Sequence, residues 1–207
     1  MLFYKTIDAP TLELLKKLLR IAAFNNLRLV GGTSLALQLG HRKSIDLDLF
    51  GSVQIDDLSL SEELARFQKV IILKKTPKIN IFSIDGIKVD FVNYHYPWIN
   101  EIIVEDGLRL ADVKDIAAMK LAAITGRGSK KDFIDIYFLL KKFSLKEMME
   151  MYNKKYPDGS DFLVLKSLTF FDDAEEQQEP VMFSKISWQE IKEKLLKEHS
   201  IYLRSLN

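Results

Sequence analysis

The sequence predicts an α+β (α/β) fold: a mixed strand-and-helix module over residues 1–94 feeding a mostly helical module over residues 95–207. Three observations carry this prediction. Short apolar-alternating segments and tight-turn signals recur up to Asn93. Beyond them, apolar residues recur at helical spacing behind helix-start signals. Between the two, YHYPWINE and the turn after it interrupt the pattern near residues 95–110.

In chain order, residues 10–24 read as an amphipathic helix, with Leu12, Leu15, Leu18, Leu19 and Ala22 at helical spacing and Pro10 suited to the first turn. Leu27–Val30 is a short apolar strand that runs into the Gly31-Gly32 turn. Thr33–Leu39 is a short helix stopped by Gly40. Ile45–Phe50 alternates, so Asp46 and Asp48 share one strand face and Ile45, Leu47 and Leu49 the other. Ser59 and Glu62 have capping-box spacing and open a helix to about Val70. Lys78–Ile84 and Ile87–Asn93 are strands joined by Asp85-Gly86, a two-residue hairpin signal. Asp112 caps a helix running to Thr125, with Gly126 past its end, and Ser129 leads into a helix over Lys130–Lys142. Ser144 with Glu147 and Ser187 with Glu190 are further capping boxes, and 157–186 reads as irregular, with an acidic loop at 172–180.

Composition narrows the function. The 207 residues are 47% hydrophobic and 29% charged, which excludes a disordered chain. Thirty Lys+Arg against 29 Asp+Glu leave a net charge of +1, which excludes a strongly basic nucleic-acid scaffold but allows a local basic patch. With no cysteine and three histidines, there is no disulfide, no thiolate nucleophile and no multi-histidine metal site, so a metal here would sit on carboxylates, as Mg²⁺ or Mn²⁺ does. The start, MLFYKTIDAPTLELLKK, has no leader pattern and no apolar run spans a bilayer, so a cytoplasmic protein without membrane contact is expected.

The chemistry concentrates in residues 30–50. A glycine turn admits a phosphate closely, and the helix N-terminus behind it offers N–H groups; Gly31, Gly32, Thr33 and Ser34 are the candidate phosphate ligands. Past the Gly-Gly pair and thirteen intervening residues, Asp46 and Asp48 offer hard oxygen donors to a divalent cation, and Asp90, opposite an Ile/Val/Phe stripe, is the candidate third carboxylate. Arg42 suits bidentate phosphate contact. Farther on, GRGSKK places Arg127, Lys130 and Lys131 at a helix entry, a second phosphate-binding element. Asp132 stands three residues after Ser129 as a capping acid does, Lys131 and Asp135 have i,i+4 pairing distance, and Lys120 lies on an otherwise apolar helix. Tyr94, His95, Tyr96 and Trp98 form an aromatic run suited to interface packing or to base stacking.

Residues 30–49 resemble the nucleotidyltransferase signature of the DNA polymerase β superfamily. GGTSLALQLGHRKSIDLDLF, KVDF and AAMKLAAITGRGSKKDFIDIYFLL are together similar to the AbiEii/AbiGii-type nucleotidyltransferase toxins of bacterial abortive-infection toxin–antitoxin pairs. The likeness covers about residues 28–142 and extends more weakly to SLTFFDDAE and SWQEIKEKL. The resemblance implies a polymerase-β-like nucleotidyltransferase core, Mg²⁺-dependent transfer of a nucleotide from an NTP, an RNA acceptor such as a tRNA 3′ end, and a cognate antitoxin. It implies metal binding by Asp46, Asp48 and Asp90, and catalytic or phosphate-binding roles for Lys120, Arg127, Lys131, Asp132 and Asp135, which match the family's K…R…KD..D segment. Two other readings use the same residues: an NTP-dependent phosphotransferase on this fold, and a non-catalytic toxin–antitoxin interaction module.

Overall fold

The computed structural model describes residues 1–52 and 57–206, with side chains described for all of these but 57–59. The chain forms two compact units. The first comprises Met1–Tyr96 and Glu101–Ala111; the second comprises Pro97–Asn100 and Asp112–Asn207.

The first unit is built on a sheet whose described strands follow the order β3-β4-β5-β2-β1-β7-β6. In the chain these are β1 (Arg28–Val30), β2 (Leu47–Gly51), β3 (Val70–Lys75), β4 (Ile79–Ile84), β5 (Ile87–Asn93), β6 (Ile103–Glu105) and β7 (Leu108–Leu110). The sheet is mixed: β1 is antiparallel to β2, β2 is parallel to β5, and β1 is parallel to β7. Among the described residues, the α-helices of this unit are α1 (Ala9–Leu19), α2 (Gly31–Leu39) and α3 (Asp57–Leu64). Asp8 caps α1, accepting from Thr11 N at 2.8 Å, and Pro10 sits in its first turn where no N–H partner is needed. Leu14, Leu15 and Leu18 of α1 and Leu60 and Leu64 of α3 join Leu47, Leu49, Val89 and Phe91 in one buried cluster. That burial fixes strand register, because a one-residue slip would turn each apolar stripe outward.

The second unit is helical: α4 (Val113–Gly126), α5 (Lys130–Leu139), α6 (Leu145–Lys155), α7 (Asp161–Leu168), α8 (Asp172–Glu175) and α9 (Trp188–Ser205). The apolar face of α4 (Ile116, Ala117, Leu121, Ile124) is buried, and α5, α6 and α7 pack on this helix. Both expected capping boxes close, Ser144 with Glu147 and Ser187 with Glu190.

The structure departs from expectation at several elements. The first helix ends at Leu19, and Ala22–Phe24 forms a separate 3₁₀ turn. The helix expected from Ser59 to about Val70 spans Asp57–Leu64 instead, and the Ser59 side chain lies outside the described residues. Val70–Lys75 is an edge strand, antiparallel to β4, with Ile71, Ile72 and Leu73 exposed. An apolar run on an edge shows no alternation, so it carries no strand period to read. Ile103–Leu110 is a hairpin whose β7 adds beside β1, so part of the stretch read as an interruption is sheet. Its turn, Asp106-Gly107, repeats the paired positive φ of Asp85-Gly86. The β2 ladder starts at Leu47, leaving Ile45 exposed rather than on the apolar face. Within 157–186, expected to be irregular, α7 and the short α8 are helical.

Candidate active site

In the first unit the site forms where β1 turns directly into α2. Gly31 is already the first helical residue, at φ +66°, where an L side chain is strained, and a Cβ there would collide with Asp48 Oδ2. A Cβ on Gly32 would collide with Arg42 Nη2. The two glycines therefore let one carboxylate and one guanidinium lie against the helix start. Arg42 is buried and its Nη1 donates to Lys43 O at 3.0 Å. Val30 stands at the N-cap and its apolar side chain cannot cap α2, so the positive end of the helix dipole faces the Asp48 carboxylate and favours negative charge at this point. The hydroxyls expected beside them serve the fold. Thr33 is buried and bonds Asp46 O and Ser44 Oγ, the latter at 2.8 Å. Ser34 is fully buried, and its Oγ accepts from Gln38 Nε2 at 3.1 Å. The Thr33 bond fastens the helix start to the residue that carries the Asp46 carboxylate.

The parallel pairing of β2 with β5 sets Asp48 directly beside Asp90. Leu47 and Leu49, with Val89 and Phe91, fill the opposite face and are buried. Both acids therefore stand half-buried on the other face, with Asp46 one residue before the strand. Two like charges on adjacent strands repel, and a cation relieves the repulsion. A cation already stands at Asp90: the Lys88 Nζ lies 2.6 Å from Asp90 Oδ1. Lys88 stands two residues from Asp90 and so shares its strand face. Among the described residues, no three His, Asp or Glu side chains are gathered in metal-holding geometry. The donor chemistry nevertheless fits Mg²⁺ or Mn²⁺: hard carboxylate oxygens aligned in register, one of them already holding an ammonium.

The second unit holds the other predicted residues. Lys120 on α4 is buried and bridges Asp132 Oδ1 at 2.7 Å and Asp135 Oδ2 at 2.6 Å. Arg127 Nε donates to Asp132 Oδ2 at 2.9 Å, and Ser129 Oγ bonds the same oxygen. Burial alone would raise the Asp132 pKa, but the Lys120 and Arg127 charges outweigh it and hold the group at about 2. Asp132 and Asp135 are fully buried, so this cluster fixes the 126–130 loop onto α4. Lys130 is also committed inside the unit: its Nζ donates to Glu175 O at 2.8 Å and lies 5.2 Å from the Trp188 ring centre. Lys131 is exposed and Arg127 largely so, which leaves these two as the outward cations of the segment. A second buried pair, Asp115 with Lys155 at 2.7 Å, had no motif to announce it. It holds the Pro97–Asn100 segment: Asp115 accepts from Ile99 N and Asn100 N, Lys155 donates to Pro97 O, and the Trp98 ring covers the ammonium at 4.3 Å.

The chain matches the family model described as "Nucleotidyl transferase AbiEii toxin, Type IV TA system" over residues 13–102 and 76–203. It is similar to an uncharacterized protein of Aquifex aeolicus, with 36% identity over 201 residues, covering 93% of this chain and 96% of that one. Among solved structures it resembles JHP933 of Helicobacter pylori at a TM-score of 0.59 and 19% identity, covering 97% and 94% of the two chains. It also resembles the nucleotidyltransferase toxin MenT4 of Mycobacterium tuberculosis at 0.60 and 18%, covering 90% and 80%. These structural likenesses are likenesses of fold. No helix among the described residues is long and apolar enough to cross a membrane. Matched by the family model over most of its length, the chain belongs to the AbiEii nucleotidyltransferase toxin family of type IV toxin–antitoxin systems.

Proposed function

We propose that this nucleotidyltransferase moves a nucleotide from an NTP to an RNA 3′ end such as that of a tRNA, in a reaction that depends on Mg²⁺ or Mn²⁺, and that a cognate antitoxin counters it. The observation that carries the reading is the Asp48–Asp90 pair, in register on adjacent parallel strands, with Asp48 against the glycine start of α2. Asp46, Asp48 and Asp90 are the residues that would hold the metal; when bound, it neutralises phosphate charge and acidifies the acceptor hydroxyl.

The remaining steps belong to the chain's own groups. The α2 N-terminus receives the triphosphate, with the Arg42 guanidinium at Gly32 as a neighbouring positive charge. The acceptor oxygen attacks the α-phosphorus, the bond to the β-phosphate oxygen breaks and pyrophosphate leaves. The hydroxyl proton passes to the Asp90 carboxylate, which must first release Lys88. Rate enhancement comes from positioning and electrostatics rather than from a covalent intermediate.

Purified protein incubated with Mg²⁺, total cellular RNA and each NTP labelled at the α or the γ phosphate tests this directly. Label entering RNA from the α position supports the reading. Transfer of the γ label, or label in protein instead of RNA, overturns it.

A further inference from the structure

Beyond the carboxylate row, the same sheet face becomes aromatic. Phe50 follows Asp48 by one pleat and pairs with Val92, and Tyr94 N donates to Gly51 O at 3.0 Å, so the β2–β5 ladder continues past Asn93. The Phe50 and Tyr94 ring centres are 5.3 Å apart, those of Tyr94 and Tyr96 5.5 Å, and those of His95 and Tyr96 4.5 Å with planes 27° apart. The four rings make a continuous series that begins half-buried beside the acids and ends exposed, at His95 and at Tyr96, which is 36% exposed. At the strand rise of roughly 3.3 Å per residue, the series starts about 7 Å from Asp48 and has reached about 13 Å from Asp90 at Tyr94.

The direction of this series matters. Strand β1 is antiparallel to β2, with Val30 against Asp48, so the Gly31–Gly32 helix start lies toward residue 46, away from residue 50. In-line phosphoryl chemistry puts the attacking and leaving oxygens on opposite sides of the phosphorus. If the leaving pyrophosphate sits at the glycine turn, the acceptor comes in over Phe50. We propose that Phe50, Tyr94, Tyr96 and His95 form a stacking platform for the terminal nucleobases of a single-stranded RNA acceptor. The assignment rests on the reaction proposed above. Stacking suits this task because every base offers a π face, so one surface holds ends of any sequence.

The test is equilibrium binding of a 5′-fluorescein single-stranded RNA of mixed sequence to the full chain, read by anisotropy without NTP. Tyr96→Leu raises Kd about tenfold while the melting temperature holds, and Tyr96→Phe stays within about twofold of wild type. An RNA lacking its 3′-terminal base binds wild type as weakly as the intact RNA binds Tyr96→Leu. The platform is overturned if wild type does not bind RNA, if Tyr96→Leu binds as wild type does, if Tyr96→Phe weakens as far as Tyr96→Leu, or if wild type ignores the missing base. Its failure is separable from that of the reaction. Aromatic-dependent RNA binding without α-label incorporation sinks the reaction alone, and incorporation with RNA affinity indifferent to Tyr96 sinks the platform alone.

Discussion

Single side chains set the electrostatics of the site. Gly31 has no Cβ where the Asp48 carboxylate lies, so any larger residue would push that carboxylate off the helix start. Lys88 holds the place of a cation at Asp90. Its removal leaves two registered carboxylates with less compensation, so Lys88→Met is expected to tighten Mg²⁺ binding severalfold in calorimetric titration; unchanged or weaker binding would remove Lys88 from the site's charge balance. The Gly-Gly turn, Asp48 on β2 with Asp46 just before it, and Asp90 on β5 were legible in the sequence because strand alternation and residue type are local properties. Lys88 was not, since a lysine two residues from an aspartate is ordinary on any strand face. Thr33 and Ser34 read as phosphate donors from their place at a helix start, yet their hydroxyls turn inward to Ser44, Asp46 and Gln38.

At the scale of elements, buried ion pairs hold two connections. Asp132 locks the 126–130 loop through Lys120, Arg127 and Ser129. Its pKa falls from 3.8 unfolded to about 2 folded. The stabilisation is therefore complete above pH ~4 and is lost as pH falls from about 4 to 2, and is worth about 2 kcal/mol. Acid titration followed by circular dichroism should show this loss in wild type and not in Asp132→Asn, which starts less stable at neutral pH. The Asp115–Lys155 pair is completely enclosed and clamps Pro97–Asn100 to α6 and α4. Lys155→Met strands a buried carboxylate, so a loss of about 3–5 kcal/mol is expected in denaturant melts; a change under 1 kcal/mol would mean that the clamp is not structural. Capping boxes and the Asp85-Gly86 hairpin were readable because each is a contiguous signal. The β3 edge and the β6–β7 hairpin were not. The first is apolar without alternation, and the second has strands of three residues that pair with each other but join the rest of the sheet through a strand far away in sequence, β7 meeting β1 through Leu110 and Leu29.

For the whole molecule, the chain divides into a sheet-based and a helical unit and passes between them more than once. Pro97–Asn100 belongs with the helices and Glu101–Ala111 with the sheet. Long-range pairing decides that return, and no window of sequence contains both partners. A net charge of +1 gives the molecule no general attraction for nucleic acid, so the proposed RNA acceptor would be held by local cations and by stacking. In the proposed reaction Asp48 and Asp90, aligned on parallel strands, carry nucleotide transfer. The most direct measurement compares Mg²⁺-dependent incorporation of α-labelled NTP by wild type, Asp48→Asn and Asp90→Asn, each with a confirmed native melting transition. Incorporation by wild type, and loss of at least about a hundredfold in both folded variants, is the predicted result. Either variant labelling RNA at the wild-type rate would contradict the account.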